Sequence, residues 1–178
     1  AQNVVDSLAK KDFPFVIPDN PRAYVRKAQY HFGWDWGPKF TTCGIWKTPR
    51  LEAYDVKTPE KPYLLDRKIE LIQQPDDKGT SFYFKIDDKP VYMKGANYIP
   101  SDAFLSRVTK KEYEKVIALA KDANMNMLRI WGGGVYEDDY FYDLCDKNGI
   151  YVWQDFMFAG TMVPGDDAFF ENKKPDRF

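Results

Sequence analysis

The hydrophobic pattern of this chain changes period at Lys94. Before it, apolar residues alternate as they do in strands; after it, helix-spaced segments and short apolar runs take turns. Thr109-Lys-Lys-Glu112 is a capping box, with a hydroxyl at the N-cap and a carboxylate three residues on. Tyr113, Val116, Ile117, Ala120 and Ala123 follow at helical spacing and predict one buried face, with Asn124 as the stop. Met125 to Trp131 is an apolar strand interrupted by Asn126 and Arg129, and Gly132-Gly133-Gly134 is a loop. Asp138 or Asp139 caps a second helix that turns Tyr140, Phe141, Leu144 and Cys145 inward and ends at Asn148-Gly149. Ile150 to Trp153 is another buried strand. Strand, helix, strand, helix, strand implies a parallel sheet with right-handed crossovers.

The first third reads differently. A short amphipathic piece, Val4 to Lys11, leads into a loop marked by Pro14, Pro18 and Pro21. Residues 24–30, YVRKAQY, alternate like a strand, and Ile45 to Tyr54 alternate again. Between them HFGWDWGPKF is too rich in Gly and Trp for a regular element. Residues 55–63, with two prolines, read as a linker. Residues 67–74 suit an edge strand, PDDKG a turn, and SFYFKI with VYMKGA a hairpin around Asp87-Asp88-Lys89-Pro90.

Charge and composition remove several function classes. Lys+Arg 26 against Asp+Glu 27 gives a net charge of -1, so the surplus of clustered cations that nucleic-acid phosphates require is missing. No run approaches the roughly 20 apolar residues of a membrane span. Ala1 to Lys11 has no basic-then-apolar signal layout, so an export signal is expected to have been removed or never to have been included. Cys43 and Cys145 stand far apart and outside any C-x-x-C pair, and Cys145 is expected in the core. His31 is the single histidine, which argues against a Ser-His-Asp triad and against a multi-histidine metal site. No redox cofactor, nucleotide or metal is suggested. The aromatic content, 17% with 5 Trp, 12 Tyr and 13 Phe, serves either cores or stacking on flat ligand faces such as the C–H side of a sugar.

In parallel α/β sheets ligands meet the C-terminal strand ends, here Asn97-Tyr98, Arg129 with Trp131, and Gln154-Asp155. Arg129, inside an apolar strand, reads as a buried guanidinium paired with Asp155, or as a group that holds a catalytic carboxylate or a ligand hydroxyl; the two are compatible. Trp131, before three glycines, is either core or a ligand-facing indole that the glycines let a ligand approach. The triplet lacks phosphate-loop spacing. The paired aspartates 138–139 and 166–167 read as capping or solvated groups rather than as metal ligands. Asp35, between Trp34 and Trp36, is either a turn aspartate bonded to its own backbone or a hydroxyl acceptor beside a stacking platform.

FGWDWGP (32–38), GIWK (44–47), FYFKIDDKPVYMKGANYIPSDAF (82–104), NMNMLRIWGGGVYEDDYFYDLCDKNGI (124–150) and YVWQDFMFA (151–159) together resemble β-mannosidases of glycoside hydrolase family 2. The resemblance implies a multidomain β plus α/β chain. Residues 1–54 would be the end of an N-terminal jelly-roll sandwich. Residues 55–81 would be a linker and a remnant strand of an immunoglobulin-like domain. Residues 82–178 would be the first three strands of a (β/α)8 TIM barrel with two helices. It implies a retaining exo-glycosidase acting on terminal non-reducing β-D-mannose, with a β-mannoside or manno-oligosaccharide as partner. Trp34 and Trp131 would wall the terminal-sugar subsite, Asp35 would accept sugar hydroxyls, Arg129 would position a carboxylate, and Asp155 would support Arg129. The chain departs from that pattern in two places: most of the immunoglobulin-like domain has no room between Asp55 and Leu64, and Phe178 precedes the fourth barrel strand. Both catalytic glutamates are then expected to be absent, Glu137 being no substitute, and these residues alone are expected to be inactive: a fragment, a longer chain with stretches left out, or a piece completed by other polypeptide. The rival reading is a non-catalytic carbohydrate-binding or structural fragment. Family members work in the periplasm, outside the cell or in lysosomes, and no residue here chooses among these.

Overall fold

The computed structural model describes residues 25, 27–45, 47, 49, 67–160, 163, 167, 169 and 171. The amphipathic piece at 4–11 and the linker at 55–63 lie outside the described residues.

Residues 69–91 build an antiparallel sheet ordered β1 (Ile69–Ile72), β4 (Tyr83–Ile86), β5 (Lys89–Val91). β1 is an edge strand, as its sequence predicts, and its pairing with β4 joins residues on both sides of position 82. PDDKG turns inside a two-stranded ribbon, β2 (Pro75–Asp76) with β3 (Gly79–Thr80). The β4–β5 turn is tighter than expected. Asp87 and Asp88 both take positive φ, 49° and 63°, the hand that matches strand twist, so Lys89 and Pro90 already belong to β5. Pro90 is tolerated there because β5 is an edge.

The second sheet is parallel, ordered β6 (Gly95–Tyr98), β7 (Met127–Ile130), β8 (Tyr151–Gln154). Helix α1 (Lys110–Asp122) connects β6 to β7, and α2 (Asp139–Asn148) connects β7 to β8. Both arms of the Thr109–Glu112 capping box are made. Asp138, rather than Asp139, caps α2 by accepting the Tyr140 N–H. Asn124 at φ 56° and Gly149 at φ 64° end the two helices in the left-handed region.

The core lies between the helices and one sheet face. Tyr113, Ile117 and Ala120 of α1 and Phe141 and Cys145 of α2 meet Tyr98, Leu128, Ile130 and Ile150. Ala123 departs from the expected helical stripe: it is the exposed C-cap residue, because the helix ends before its face comes round. Cys145 is buried as expected, and its thiol is pushed up to about 12 by burial. Strand side chains alternate faces, so Leu128 and Ile130 enter the core while Arg129 emerges on the opposite face.

The strand expected over 24–30 is not formed. Val25, Lys27 and Ala28 lie outside any strand, and Gln29–Phe32 form a 3-10 turn. Four successive buried residues, Gln29 through Phe32, explain this: a strand with one covered face buries only alternate positions. The strand expected over 45–54 lies mostly outside the described residues; Ile45, Lys47 and Pro49 belong to no strand, and Ile45 is exposed.

Candidate functional site

Register sets the first half of the site. Asn97, Arg129 and Trp153 stand side by side across the three parallel strands, on the face that the helices leave open. Arg129 spans the row. Its Nη2 lies 2.7 Å from Asp155 Oδ2, its Nε donates to Asp155 Oδ1 at 3.1 Å, and its Nη1 donates to Asn97 Oδ1 at 3.0 Å. The Gly132 N–H adds a bond to Asp155 Oδ2 at 3.1 Å. The fork is the bidentate geometry for which guanidinium suits carboxylate. The expected ion pair is therefore present, but its premise of full burial is not met: the Arg129 side chain is 41% exposed against 16% for Asp155. The pair fixes a cation at the strand ends with one edge toward solvent.

The glycine loop serves internal packing. A Cβ on Gly133 would sit 2.1 Å from the Trp131 ring, so the ring lies directly on loop backbone. The indole itself occupies the close approach that the sequence assigned to a ligand.

The second half of the site comes from far earlier in the chain. The Gln29–Phe32 turn docks through Tyr30 N–H to Gly133 O (3.2 Å), Tyr30 Oη to Asp102 O (3.4 Å), and His31 Nε2 with Ala103 O (3.1 Å). Phe40 packs on Phe104 with ring centroids 4.8 Å apart. Immediately after this anchor, Trp34 and Gly37 exchange two backbone bonds and present Asp35 and Trp36 at a turn tip. Trp34 lies edge-on to Trp131 at 5.1 Å and Trp36 at 6.2 Å. Trp34 also rests on the Gly160 backbone, where a Cβ would meet its ring at 2.6 Å. Asp35 is exposed, with no hydrogen bond or ion pair among the described residues, so the backbone-bonded turn aspartate is not what forms.

Of the five residues expected at a site, Arg129 and Asp155 are thus bonded to each other, Trp34 meets Trp131, and Asp35 sits at the tip of the turn that Trp34 begins. Sequence reasoning passed over Asn97 as a partner of Arg129 and Trp36 as a member of the aromatic cluster. Strand register identifies the first; the second lay in plain view as the other indole beside Asp35.

Glu137 is 2% exposed and receives the Tyr113 hydroxyl at 2.7 Å. Burial pushes its carboxyl above the ordinary range, and the tyrosine bond partly offsets this. Lys47 donates to its backbone carbonyl at 2.9 Å. Such a carboxyl is closed off from a substrate. A separate, largely apolar groove of about 440 Å³ runs between the antiparallel sheet and β8, lined by Ile69, Phe84, Met127 and Trp153 among others, and it holds none of the five site residues. Among the described residues no group of three or more His, Cys, Asp and Glu could hold a metal, and no helix is long and apolar enough to cross a membrane.

Residues 2–47 match the family described as glycosyl hydrolase 2 galactose-binding domain-like. Over 256 aligned residues the chain is 30% identical to a β-mannosidase of Bos taurus, covering 86% of this chain and 29% of that protein. A β-mannosidase B of Emericella nidulans is 30% identical over 241 residues, 82% of this chain and 29% of its own length. The crystal structure of a β-D-mannosidase from Dictyoglomus thermophilum superposes with a TM-score of 0.85 at 32% identity, covering 99% of this chain and 34% of that one. The chain therefore spans about a third or less of the proteins it matches. The first alignment is also longer than this chain's 178 residues, so the relative carries residues within the matched stretch that have no counterpart here.

Proposed function

We propose that this chain, which belongs with the β-mannosidases of glycoside hydrolase family 2, carries one wall of the site at which a longer enzyme hydrolyses terminal non-reducing β-D-mannosides with retention of configuration. The observation that supports this is the meeting of the Trp34–Gly37 turn with Trp131. It sets a carboxylate that has no partner among the described residues, and two indoles, beside a strand end that carries a fixed guanidinium. Indoles offer a flat apolar face to the C–H side of a pyranose, and carboxylates accept its hydroxyls. Asp35 would take sugar hydroxyls, Trp34 and Trp131 would wall the terminal ring, and Arg129, steadied by Asp155, would orient a catalytic carboxylate.

Retaining hydrolysis needs two carboxyl groups roughly 5–5.5 Å apart, one as nucleophile and one as acid/base. Asp155 is engaged by Arg129 and Glu137 by Tyr113, so neither is offered for that work. In this reading both catalytic glutamates come from residues outside this chain. Residues 1–54 belong to a jelly-roll sandwich, 55–81 to a linker and a strand of an immunoglobulin-like domain, and 82–178 to the opening strands of a TIM barrel.

Asp35→Ala in the longer enzyme is expected to lower kcat/KM for an aryl β-mannoside about 10- to 100-fold, the worth of hydrogen bonds to a charged acceptor. Its melting temperature should shift by only about 2 °C, because an exposed group without partners contributes little to the fold. Equal losses of activity and stability would mean that Asp35 is structural. The same mannoside offered to the 178 residues alone should not be turned over. Binding without turnover there would make a carbohydrate-binding fragment the right description of the chain by itself.

A further inference from the structure

Trp36 has an environment unlike that of the other two indoles in the cluster. One side of its ring stacks on Tyr30, with centroids 5.3 Å apart and planes 24° apart. The Tyr30 ring in turn meets the adjacent His31 ring at 4.0 Å, tilted by 33°. The base of this column is buried, Tyr30 being 1% exposed, and it is bonded to the Asp102–Ala103 backbone. Its top is not buried: Trp36 is 37% exposed, whereas Trp34 is half-buried. Trp36 and Trp131 stand at 74° to each other, so the two rings form a corner.

An indole that is backed by a buried aromatic and open on its outer side is a preorganised stacking surface, because its rotamer is fixed before any ligand arrives. Trp34, nearer the interior, and Trp36, nearer the solvent, stand on either side of Asp35. In a site that takes the end of a sugar chain, the terminal ring goes inward and the next ring faces out. We propose that Trp36 is a specificity-determining residue that stacks on the second sugar of a manno-oligosaccharide, the ring on the leaving-group side. This rests on the reading of the inner wall as a mannose site.

The test titrates a longer enzyme that carries these residues, its two catalytic glutamates replaced by glutamine so that sugars bind without turnover, with methyl β-D-mannoside and with β-1,4-mannobiose. The disaccharide is expected to bind about three- to tenfold more tightly, the worth of one aromatic stacking face. Trp36→Leu, which keeps apolar bulk without a flat face, should bring that ratio close to one, and Trp36→Phe should keep most of it. With Trp36 in place, its indole N–H resonance, assigned by its loss in Trp36→Phe, should shift with mannobiose and much less with the methyl mannoside. This arm stands even if the leucine variant does not fold. A ratio near one with Trp36 in place, a ratio that survives Trp36→Leu, or equal shifts with both sugars would each overturn the proposal. Failure of both sugars to bind would instead bring down the mannose site itself, and this inference with it.

Discussion

At the scale of single residues, the site depends on contacts too close to tolerate a methyl group. Gly133 lies under the Trp131 ring, and a Cβ there would come within 2.1 Å of it. Gly133→Ala must therefore displace the indole or the loop. Overpacking of this kind costs about 1–3 kcal/mol, which urea unfolding would read directly. Because Trp34 and Trp36 both touch Trp131, the same variant should also weaken the proposed mannoside binding, as is expected of Asp35→Ala, but with a stability loss not expected of Asp35→Ala. Arg129 shows how far a sequence informs at this scale. Its pairing with Asp155 follows from charge inside an apolar strand. Its third bond, to Asn97, requires knowing that those two positions are in register.

Single elements are the most fully encoded in local sequence. The hydroxyl and carboxylate of Thr109 and Glu112 fix where α1 starts, and Asn124 fixes where it stops. Thr109→Ala should destabilise by about 1 kcal/mol, measured by thermal or urea unfolding, since only the cap is lost while the buried Tyr113, Ile117 and Ala120 face stays. The helices and parallel strands were legible because period and end signals are local. The segment at 24–30 misled for the same reason. Its alternation is a local signal, but four consecutive residues there are buried by tertiary neighbours, and only a 3-10 turn tucks all four inward.

For the molecule as a whole, the clasp between the Gln29–Phe40 segment and the loops at 99–108 and 132–134 is the decisive contact. His31 lies within it. Burial, and then the charge of Lys27, hold its imidazole below the ordinary value of 6.5, while the bond to Ala103 pulls the other way. Nε2 meets a carbonyl and so carries the proton, leaving Nδ1 buried without a hydrogen-bond partner among the described residues. A base whose folded value is lowered stabilises fully above its unfolded value. That contribution is lost as pH falls from about 6.5 through the lowered folded value. Glu137 has the opposite sign: its raised carboxyl makes the fold more stable as pH drops toward the ordinary carboxylate range. Unfolding free energies taken between pH 7.5 and 5 should therefore fall more steeply in Glu137→Gln than in the unaltered chain. They should flatten in His31→Gln, which retains an N–H for Ala103.

The elements of the α/β part, their order and their ends are written in local patterns, because period, caps and turn residues act over a few positions. So are the residue types that suit a sugar: an aspartate between indoles, and an arginine with a tryptophan at a strand end. That these two sets meet, that the glycines serve the Trp131 ring, and that Trp36 stands on a buried tyrosine follow from long-range packing alone. Which surfaces dock depends on burial summed over segments some hundred residues apart, and local patterns carry no record of that sum.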